Sequence, residues 1–331
     1  MTVVIPTLAA DSALLDCLGS LDAQIHRDFE VVIVDNSGRG LARQAARDFN
    51  AVILENSGNA GFGAAINQGL RASRAPFLAT LNDDVVAAPR WLAVLLAAIE
   101  SRPDAGMCAS EVRLMGEDHL DSAGMLICRD GSSKQRGRGQ PPSAFPNGEE
   151  VLLPSASAAL YRRAMLDEIG GFDEDFFLYC EDTDLGLRGR WAGWKCLYVP
   201  GAIVEHRYSH TAGRASRLKA YYVERNRLFV LVKNFPASSL ALAPFAEFAR
   251  YAWHVVFALR GRGAASEFHR EGHSALLLLW YVVKAHAAAL LAFRALWRKR
   301  RAIRRKARIS PREFLALLRA HSISPREVAA L

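Results

Sequence analysis

Residues 29–36 read Phe-Glu-Val-Val-Ile-Val-Asp-Asn, and this stretch decides the fold class. Its apolar run is nearly continuous, which is typical of a strand that is covered on both faces of a parallel sheet. Asp35 and Asn36 follow at the carboxyl end of the predicted strand. Ligands of such sheets bind beyond the carboxyl ends of the strands, so both side chains are candidates for ligand binding.

The segments on either side of this strand alternate between strand and helix patterns. On the N-terminal side, Val3–Ile5 is a short apolar run ended by Pro6, and residues 11–24 have helical spacing of their leucines. On the C-terminal side, the pattern predicts helices over 39–48, 62–72 and 89–100 and strands over 51–54 and 76–81. Strands that alternate with helices of about a dozen residues indicate βαβ units.

The composition excludes several classes of protein. With 331 residues, 51% hydrophobic and 23% charged, the chain is globular, not disordered, and long enough for roughly two domains. Five cysteines without a Cys-x-x-Cys pair argue against a disulfide framework and a zinc ribbon, and favour a reducing, cytosolic compartment. The N-terminus lacks the basic and long apolar regions of a signal peptide and is predicted to be the first strand. Residues 129–150, rich in Gly, Pro, Ser and charge, are predicted to be a long mobile loop.

The charge of the chain is distributed unevenly. Residues 1–205 carry a net charge of −10, whereas residues 206–331 carry +18. Eight of the eleven residues in 298–308 are Lys or Arg. A basic C-terminal region predicts an anionic partner such as phosphate, nucleic acid or a membrane surface.

Two apolar helices are predicted before the basic run, over 240–259 and 274–297. Lys284 lies near the middle of the second, where a charge is costly in hydrocarbon. The pattern therefore favours helices that lie in a membrane interface, or that pack on the first domain, over a helix that spans the bilayer.

In the tail, Ile-Ser-Pro-Arg-Glu occurs at 309–313 and again at 323–327. Ser at the N-cap with Glu at N3 predicts two short helices that begin with capping boxes.

The acidic cluster Asn82-Asp83-Asp84 follows the predicted strand 76–81. Adjacent carboxylates at a sheet edge suit Mg²⁺ or Mn²⁺, which take oxygen ligands and bridge to substrate phosphates. A polar strand-to-helix loop with a capping Asp is the alternative. His206 is either a structural residue or a further ligand beside Asp84.

A second group of acids, Glu181, Asp182 and Asp184, follows the aromatic run 176–179. If a helix begins near Asp182, one acid caps it while another projects into a cleft. Aromatic walls desolvate such a carboxylate, raise its pKa and make it a better general base. The alternative is helix capping with an (i, i+4) ion pair, and we assign Asp184 and Arg188 to such a pair.

Glycines open the predicted helix 62–72. In Asn59-Ala-Gly61, the glycine allows close approach of a phosphate or ribose to the backbone. Flexible turn chemistry explains the same residues equally well.

Taken in order along the chain, these motifs resemble those of the family-2 glycosyltransferases of the GT-A fold. The motifs are Val3-Val-Ile-Pro-Thr7, Val34-Asp-Asn-Ser37, Asn59-x-Gly-Phe62 with Asn67 and Gly69, Leu81-Asn-Asp-Asp84, Gly170-Gly-Phe-Asp173, Glu181-Asp-x-Asp-Leu185 with Arg188, Ala192-Gly-Trp194 and His206. The bacterial rhamnosyltransferase-like branch is nearest in pattern, because it also carries a segment like Tyr222-x-x-Arg-Asn226 followed by Lys233-Asn-Phe-Pro236. The resemblance covers about residues 2–236, and the ordered set carries it, not any single motif.

The resemblance implies a GT-A (nucleotide-diphospho-sugar transferase) fold, which is a mixed, mainly parallel sheet flanked by helices, here with a C-terminal helical extension. It implies a catalytic domain over 1–215, with the donor-binding half over about 1–110 and the acceptor half over about 111–215. Residues 216–309 would then form an apolar and basic helical region that associates with a membrane, and 310–331 a short helical tail.

The resemblance also implies roles for individual residues. Those expected to bind the nucleotide-sugar are Pro6, Thr7, Asp35, Asn36, Asn59, Gly61, Asn67, Asn82 and Asp83. Because Asn82 stands at the first position of the family's metal-binding Asp-x-Asp element, Asp84 is the expected main ligand of Mg²⁺ or Mn²⁺. His206 matches a metal-ligating His of related galactofuranosyltransferases. Asp182 matches the second acid of the family's Glu-Asp pair, the usual general base, with Glu181 beside it.

The implied activity is the inverting transfer of a sugar, with rhamnose as one candidate, from a nucleotide diphosphate-sugar to a hydroxyl of a glycan or polyprenyl-linked glycan acceptor. Such an enzyme serves cell-surface polysaccharide synthesis. The expected location is cytoplasmic and peripheral at the inner face of the cell membrane, on an anionic membrane surface, and no nucleic-acid partner is expected. Ala156 stands where many relatives have Gly, a departure that bears on the geometry of the acceptor.

Two other functions compete with this interpretation. A sugar-1-phosphate nucleotidyltransferase uses a related sheet, but such enzymes usually open with a Gly-rich, basic phosphate loop that residues 6–11 lack. A non-catalytic, membrane-bound scaffold subunit of a polysaccharide assembly would have lost its acids, whereas Asp84, Asp182 and His206 are all present.

Overall fold

The computed structural model describes residues 1–207 and 216–331 and divides the chain into two compact units. The first unit holds residues 1–125 with the described residues from 135 onward to 207, and the second holds 126–134 with the described residues from 216 onward. The predicted domain boundary at 215 lies outside the described residues.

The described residues form twelve strands and thirteen helices. The strands are β1 Thr2–Thr7, β2 Glu30–Asp35, β3 Val52–Glu55, β4 Phe77–Leu81, β5 Val85–Ala87, β6 Ala105–Leu114, β7 Leu120–Ser122, β8 Met125–Ile127, β9 Ser133–Gln135, β10 Glu149–Val151, β11 Ala158–Arg162 and β12 Lys195–His206. The helices are α1 Ser12–Asp22, α2 Leu41–Ala45, α3 Phe62–Ala72, α4 Trp91–Glu100, α5 Arg163–Ile169, α6 Glu181–Trp191, α7 Arg217–Asn234, α8 Ala237–Leu240, α9 Ala243–Leu259, α10 Gly263–Arg270, α11 Ala275–Arg305, α12 Pro311–Ala320 and α13 Pro325–Ala330. Short 3-10 turns occur at Pro142–Ala144 and Glu174–Phe176.

The first unit is built on a mixed sheet whose main path runs β10-β12-β6-β11-β4-β1-β2-β3. Strand β1 pairs in parallel with β2 and β4, and β2 pairs in parallel with β3. The longest ladder, between β6 and β12, is also parallel, whereas β11 runs antiparallel to both β4 and β6. This sheet confirms the predicted fold class. It also brings the carboxyl ends of β1, β2 and β4 to one edge.

Side chains of the central strands alternate between two cores, one on each face of the sheet. One core takes Val3, Ile5, Val31 and Ile33, together with apolar residues of α1 and α4. The other takes Val4, Val32 and Val34, together with apolar residues of α3, α5 and α6. Because helices cover both faces, the strands need apolar side chains at every position, which explains the continuous apolar run of β2.

A buried ion-pair network holds segment 126–134 in the second unit. Asp130 is fully buried, and Arg250 Nε donates to its Oδ2 at 2.6 Å. Arg250 also donates to Glu224 Oε2 at 3.0 Å, and Arg227 Nε donates to Glu224 Oε1 at 2.9 Å. Burial alone would raise the pKa of Asp130, but the two arginines hold it below its ordinary value. A buried charge needs such partners, which is why this segment belongs with the helices, whereas the predicted division kept it in the first domain.

Helices α9 and α11 expose many apolar side chains. The most exposed are Phe245, Phe248 and Leu259 on α9 and Leu276, Leu290 and Leu291 on α11. Of the described helices, only α11 is long and apolar enough to cross a membrane by length and composition. Its most apolar window has a mean hydropathy of 1.9 and is only 6% buried. The polar residues of this stretch contact the protein: Lys284 Nζ lies 4.5 Å from the Tyr221 ring centre, and His286 Nε2 lies 2.8 Å from Glu247 Oε1.

The tail contains the two predicted short helices, and both begin with a capping box. The Ser310 hydroxyl accepts from the backbone N–H of Glu313 at 3.2 Å, and the Glu313 carboxylate accepts from the backbone N–H of Ser310 at 2.7 Å. Ser324 and Glu327 repeat the arrangement at the start of α13. The prediction from the repeated Ile-Ser-Pro-Arg-Glu sequence is confirmed.

Candidate active site

Thr7, at the end of β1, joins the ends of the neighbouring strands. Its backbone carbonyl accepts from the N–H of Asn36 at 2.8 Å, and its buried hydroxyl is hydrogen-bonded to the Asp83 carboxylate. Pro6, one residue earlier, is paired with Val34 in β2. The structure therefore brings these predicted residues together at one edge of the sheet. Burial there, with the charge of the adjacent acids, raises the pKa of Asp83 to about 6.

Asp35 is almost fully buried at the end of β2 and organises the turn that follows. One carboxylate oxygen accepts from the N–H of Ser37 and the other from the N–H of Ala42, each at 2.8 Å. Burial alone would raise the pKa of Asp35, but these hydrogen bonds outweigh it and lower the pKa. Asp35 is therefore a fixed anion at the sheet edge.

Two polar residues outside the set predicted to bind the nucleotide-sugar complete this edge. Asn56 Nδ2 donates to Asn36 Oδ1 at 2.7 Å, and Asn56 and Gln68 exchange hydrogen bonds of 3.1 and 2.9 Å through their amides. Asn36 Nδ2 in turn lies 3.4 Å from the carbonyl of Gly61. Asn56 directly follows β3 as Asn36 follows β2, and this was the signal available in the sequence.

Gly61 lies at a close approach between the start of α3 and the loop before α6. Its φ is +91°, and a Cβ there would overlap the carbonyl oxygen of Phe177. That same carbonyl accepts from the N–H of Phe62 at 2.8 Å. The exposed Asn59 accepts from the N–H of Gly61 at 2.9 Å. The glycine is thus required for packing, whatever ligand the loop also binds.

Asn67 has a similar structural duty deeper in α3. Its amide donates to the carbonyl of Phe172 at 2.8 Å and to Glu174 Oε1 at 2.9 Å, and it accepts from the N–H of Phe172 at 2.8 Å. Asn67 is also buried. These contacts place its side chain in the frame of the site and hold the Gly-Gly-Phe-Asp turn against α3.

Replacing Gly61 by Ala is expected to destabilise the protein by about 1–3 kcal/mol, because the new Cβ meets backbone and the φ is unfavourable for any L-residue. Urea unfolding measures the change. Gly58→Ala is the matched control, since a Cβ at Gly58 meets nothing within 4 Å. Equal stability of the two variants would contradict the assigned contact.

The turn between β4 and β5 brings Asp84 to His206. Antiparallel pairing of β5 with β12 sets His206 opposite Val85, the residue after Asp84. His206 Nε2 then lies 3.3 Å from Asp84 Oδ1, and both residues are buried. On its other side, His206 Nδ1 lies 2.9 Å from Asp121 Oδ2. Asp121, from β7, was not predicted, and it is held in turn by Arg138 at 2.9 Å.

The charge of this cluster follows from its hydrogen bonds. Burial by itself would lower the pKa of His206, but the bonds to Asp121 and Asp84 outweigh burial and raise the pKa to about 10. An imidazole between two carboxylates is the arrangement that orients a metal-ligating His, with the outer carboxylate fixing the tautomer. The structure thus brings the two predicted metal ligands together and adds a residue that positions one of them.

The loop before Glu181 has a strained backbone. Phe177, Tyr179 and Cys180 have φ values of +64°, +70° and +65°, which side-chain-bearing residues rarely adopt. Strained backbone of this kind clusters at functional sites, where the surrounding structure holds it. Its effect here is to start α6 abruptly, with Glu181 and Asp182 in its first turn.

The two acids of this turn differ in their partners. Asp182 Oδ2 accepts from the N–H of Ala156 at 3.3 Å, and Oδ1 accepts from the N–H of Thr183 at 2.6 Å. Glu181 is buried, and its Oε2 has no hydrogen-bond partner. Burial raises the pKa of both, that of Glu181 to about 8 with the neighbouring charge of Asp182 adding to the effect. Hydrogen bonds that favour the anion make Asp182 the member of the pair that ionises first.

Segment 155–157 connects Asp182 to the acidic cluster Asn82-Asp83-Asp84. The N–H of Ala156 contacts Asp182, and the carbonyl of Ser157 accepts from the N–H of Asn82 at 2.9 Å. Ala156, which stands where many relatives have Gly, therefore lies in direct contact with the candidate base Asp182.

Asp184 and Arg188 form the predicted structural pair. Arg188 Nε donates to Asp184 Oδ2 at 2.8 Å, and both side chains are buried. The same guanidinium donates to the carbonyls of residues 169–171. The prediction that these two residues are structural is confirmed.

Among the described residues of the second unit, Glu224, Glu247 and His286 also have metal-like spacing. Arg227 donates to both glutamates there. The charges are already paired with an arginine, so we assign this group to the ion-pair network.

Residues 2–170, half of the chain, match the family model described as Glycosyl transferase family 2. Among characterised relatives, the N-acetylglucosaminyl-diphospho-decaprenol L-rhamnosyltransferase of Mycobacterium tuberculosis is 32% identical over 253 residues. That alignment covers 67% of this chain and 82% of the relative.

Two solved structures share the fold. The mannosyltransferase PcManGT from Pyrobaculum calidifontis, in complex with GDP-Man and Mn²⁺, superposes with a TM-score of 0.53 at 17% identity, covering 94% of this chain and 86% of that one. GalNAc-T7, with UDP, GalNAc and Mn²⁺, superposes with a TM-score of 0.61 at 15% identity, covering 76% of this chain. The chain spans 50% of the GalNAc-T7 structure. At these identities the likeness shows the fold alone, and the fold is the predicted GT-A architecture.

Proposed function

The chain belongs to glycosyl transferase family 2 and is a glycosyltransferase, and we propose that it moves rhamnose from a nucleotide diphosphate-sugar to a hydroxyl of a lipid-linked glycan. The observation that carries this proposal is the 32% identity to a mycobacterial enzyme whose name states rhamnosyl transfer to N-acetylglucosaminyl-diphospho-decaprenol. The alignment covers 82% of that enzyme. The proposed acceptor class is therefore a glycan on a polyprenyl diphosphate, and the proposed process is synthesis of a cell-surface polysaccharide.

The edge formed by Thr7, Asp35 and Asn36 is the proposed site for the nucleotide. Each Asp35 oxygen already accepts one backbone N–H, but a carboxylate oxygen has two lone pairs and can also accept a ribose hydroxyl. The fixed negative charge and the buried position of Asp35 support this role. Asn59 and Asn82 would contact the donor from the loops on either side.

The donors of Asp84 and His206 fit a divalent cation. A carboxylate oxygen and an imidazole nitrogen lie 3.3 Å apart, and Asp121 holds Nδ1 so that Nε2 faces Asp84. Such a mixed set suits Mn²⁺ well, and Mg²⁺ through its oxygen ligands. A bound cation would neutralise the negative charge that develops on the leaving diphosphate. Asp83, held by Thr7, would support the same end of the donor.

Asp182 is the proposed general base. It would accept the proton of the acceptor hydroxyl while that oxygen attacks the anomeric carbon from the face opposite the leaving diphosphate. One displacement then inverts the configuration and needs no covalent intermediate. The hydrogen bonds from Ala156 and Thr183 orient the carboxylate. Glu181 has a pKa of about 8 and is protonated below that pH, so it does not place a second negative charge beside Asp182.

The proposed location is cytoplasmic, on the inner face of the cell membrane. The exposed apolar residues of α9 and α11 support attachment, as does the net charge of residues 206–331, which favours anionic lipid. Sedimentation of the full chain with anionic vesicles at low salt tests the attachment. Protein that stays in the supernatant without detergent would rule it out.

The transfer itself is tested with a panel of nucleotide sugars and a synthetic polyprenyl-diphosphate-linked N-acetylglucosamine. We expect mass spectrometry to detect one added deoxyhexose with a nucleotide diphosphate-rhamnose donor from this panel, and product only when both substrates are present. Transfer of another sugar would keep the reaction class and change the substrate. Release of nucleoside monophosphate with retention of the sugar phosphate would contradict the proposed reaction.

A further inference from the structure

One face of α11 changes from apolar to cationic along its length. The exposed apolar residues of this face are Leu276, Leu279, Trp280, Val283, Leu290 and Leu291, and its exposed arginines are Arg294, Arg298, Arg301 and Arg305. At 3.6 residues per turn, all ten fall on the same side of the helix. The apolar part is about 22 Å long at 1.5 Å per residue, which exceeds the ~15 Å of one hydrocarbon leaflet.

The four arginines line a groove of about 470 Å³, together with Phe293 and Trp297. We call this the arginine groove. The two aromatic rings are stacked, with centroids 5.5 Å apart and planes at 28°. Ala302 also lines the groove.

The guanidinium groups of the arginine groove have no charged partner among the described residues. In the described part of the chain, no ion pair or hydrogen bond involves the guanidinium of Arg294, Arg298, Arg301 or Arg305. On the opposite side of the helix, Arg300 Nη1 donates to the carbonyl of Val232 at 2.8 Å, near the end of α7. The helix is therefore fixed by one set of arginines and presents the other set outward.

We propose that the arginine groove binds the diphosphate of polyprenyl diphosphate lipids, the class to which the proposed acceptor belongs, with the polyprenyl chain along the apolar half of the same face. This proposal rests on the proposed function. An apolar chain ending in a polyanion matches a face that is apolar and then cationic. Guanidinium groups bind phosphate oxygens through paired, charge-assisted hydrogen bonds. Four of them in one groove suit a diphosphate better than the single negative charge of a phospholipid phosphodiester.

The test measures binding of the full chain to neutral phosphatidylcholine vesicles that contain farnesyl diphosphate. The test variant is Arg298→Gln with Arg301→Gln, and the control is Arg312→Gln with Arg319→Gln, which removes the same charge from exposed positions of α12. We expect the affinity of the test variant to fall about tenfold or more, as for loss of two charge-assisted contacts. The control should change less than about twofold, because exposed charges contribute little on their own.

Five further measurements make the result decisive. Nucleoside diphosphate binding and thermal unfolding should be unchanged in the test variant, which shows that the fold and the donor site are intact. Equal affinity of the unmodified chain for phosphatidylglycerol vesicles of matched surface charge would overturn the diphosphate assignment, as would displacement of the vesicles by duplex DNA at equal charge. Arginine-dependent binding without sugar transfer would leave the groove in place and reject the proposed function.

Discussion

Replacing Asp182 by Asn is expected to lower turnover by about 10²- to 10⁴-fold, the range for loss of a general base. Asn is nearly isosteric and keeps an acceptor for the N–H of Thr183, so folding and donor binding should persist. Burial raises the pKa of Asp182, so the rate of the unmodified enzyme should fall as the pH drops through that raised pKa, because the base becomes protonated. This acidic limb should be absent from the variant.

Two comparison variants separate the base from its neighbours. Glu181→Gln should lose much less turnover than Asp182→Asn, because Glu181 is already protonated below its pKa of about 8. Asp175→Asn changes an exposed carboxylate of the preceding 3-10 turn and should leave turnover unchanged. Near-normal turnover in Asp182→Asn, with a large loss in Glu181→Gln, would move the role to Glu181.

Removal of the Asp84 carboxylate is expected to abolish the gain in nucleoside diphosphate affinity that Mg²⁺ or Mn²⁺ provides. Turnover should fall by about 10²-fold or more, since charge neutralisation of a leaving group contributes several kcal/mol. Calorimetry of UDP, dTDP and GDP with and without Mn²⁺, on Asp84→Ala and the unmodified enzyme, measures the first effect. Chelation by EDTA should inactivate the unmodified enzyme.

Asp121→Asn is expected to weaken metal binding less than Asp84→Ala does. Loss of an outer carboxylate that orients a ligating His typically costs 10- to 100-fold in metal affinity, so this variant should need about that much more Mn²⁺ for half-maximal activity. Asp118→Asn, at an exposed position three residues earlier, is the matched control. Full activity in EDTA would refute the metal site as a whole, whereas a normal Mn²⁺ requirement in Asp121→Asn would refute only the positioning role.

The elements of the first hundred residues, except β5, were predictable because their signals are local. The period of apolar residues located β1 to β4 and α1 to α4, and the polar residues at strand ends indicated which edge of the sheet is the candidate ligand-binding edge. The pairing of Asp184 with Arg188 was also local, since (i, i+4) neighbours on a helix meet by geometry alone.

Asp121 was missed because its partner is remote in sequence. It lies 85 residues from His206, and the contact depends on how β7 and β12 both associate with β6. No spacing rule links residues that meet through three strands. Similarly, the positive φ values at residues 177–180 belong to Phe, Tyr and Cys, which give no turn signal comparable with Gly or Asn.

The predicted loop 129–150 shows how composition can mislead. Gly, Pro and Ser there do form turns, but β9 and β10 also lie within or across this range, and Asp130 is fully buried. Local composition contains no information on the arginines that stabilise Asp130, because they come from helices much later in the chain.

The position of Asp130 in the sequence has a consequence for biosynthesis. Arg250 is made 120 residues after it, which takes about 6–24 s at ~5–20 residues per second. Throughout that interval the nascent chain carries a carboxylate whose native environment is not yet synthesised, although every strand up to β12 is available well before the last helices. All twelve strands of the described chain are therefore synthesised before Arg227 and Arg250, the charged partners of this stretch. Conditions that slow elongation between residues 135 and 250 should lengthen exposure of this stretch to cytosolic proteases.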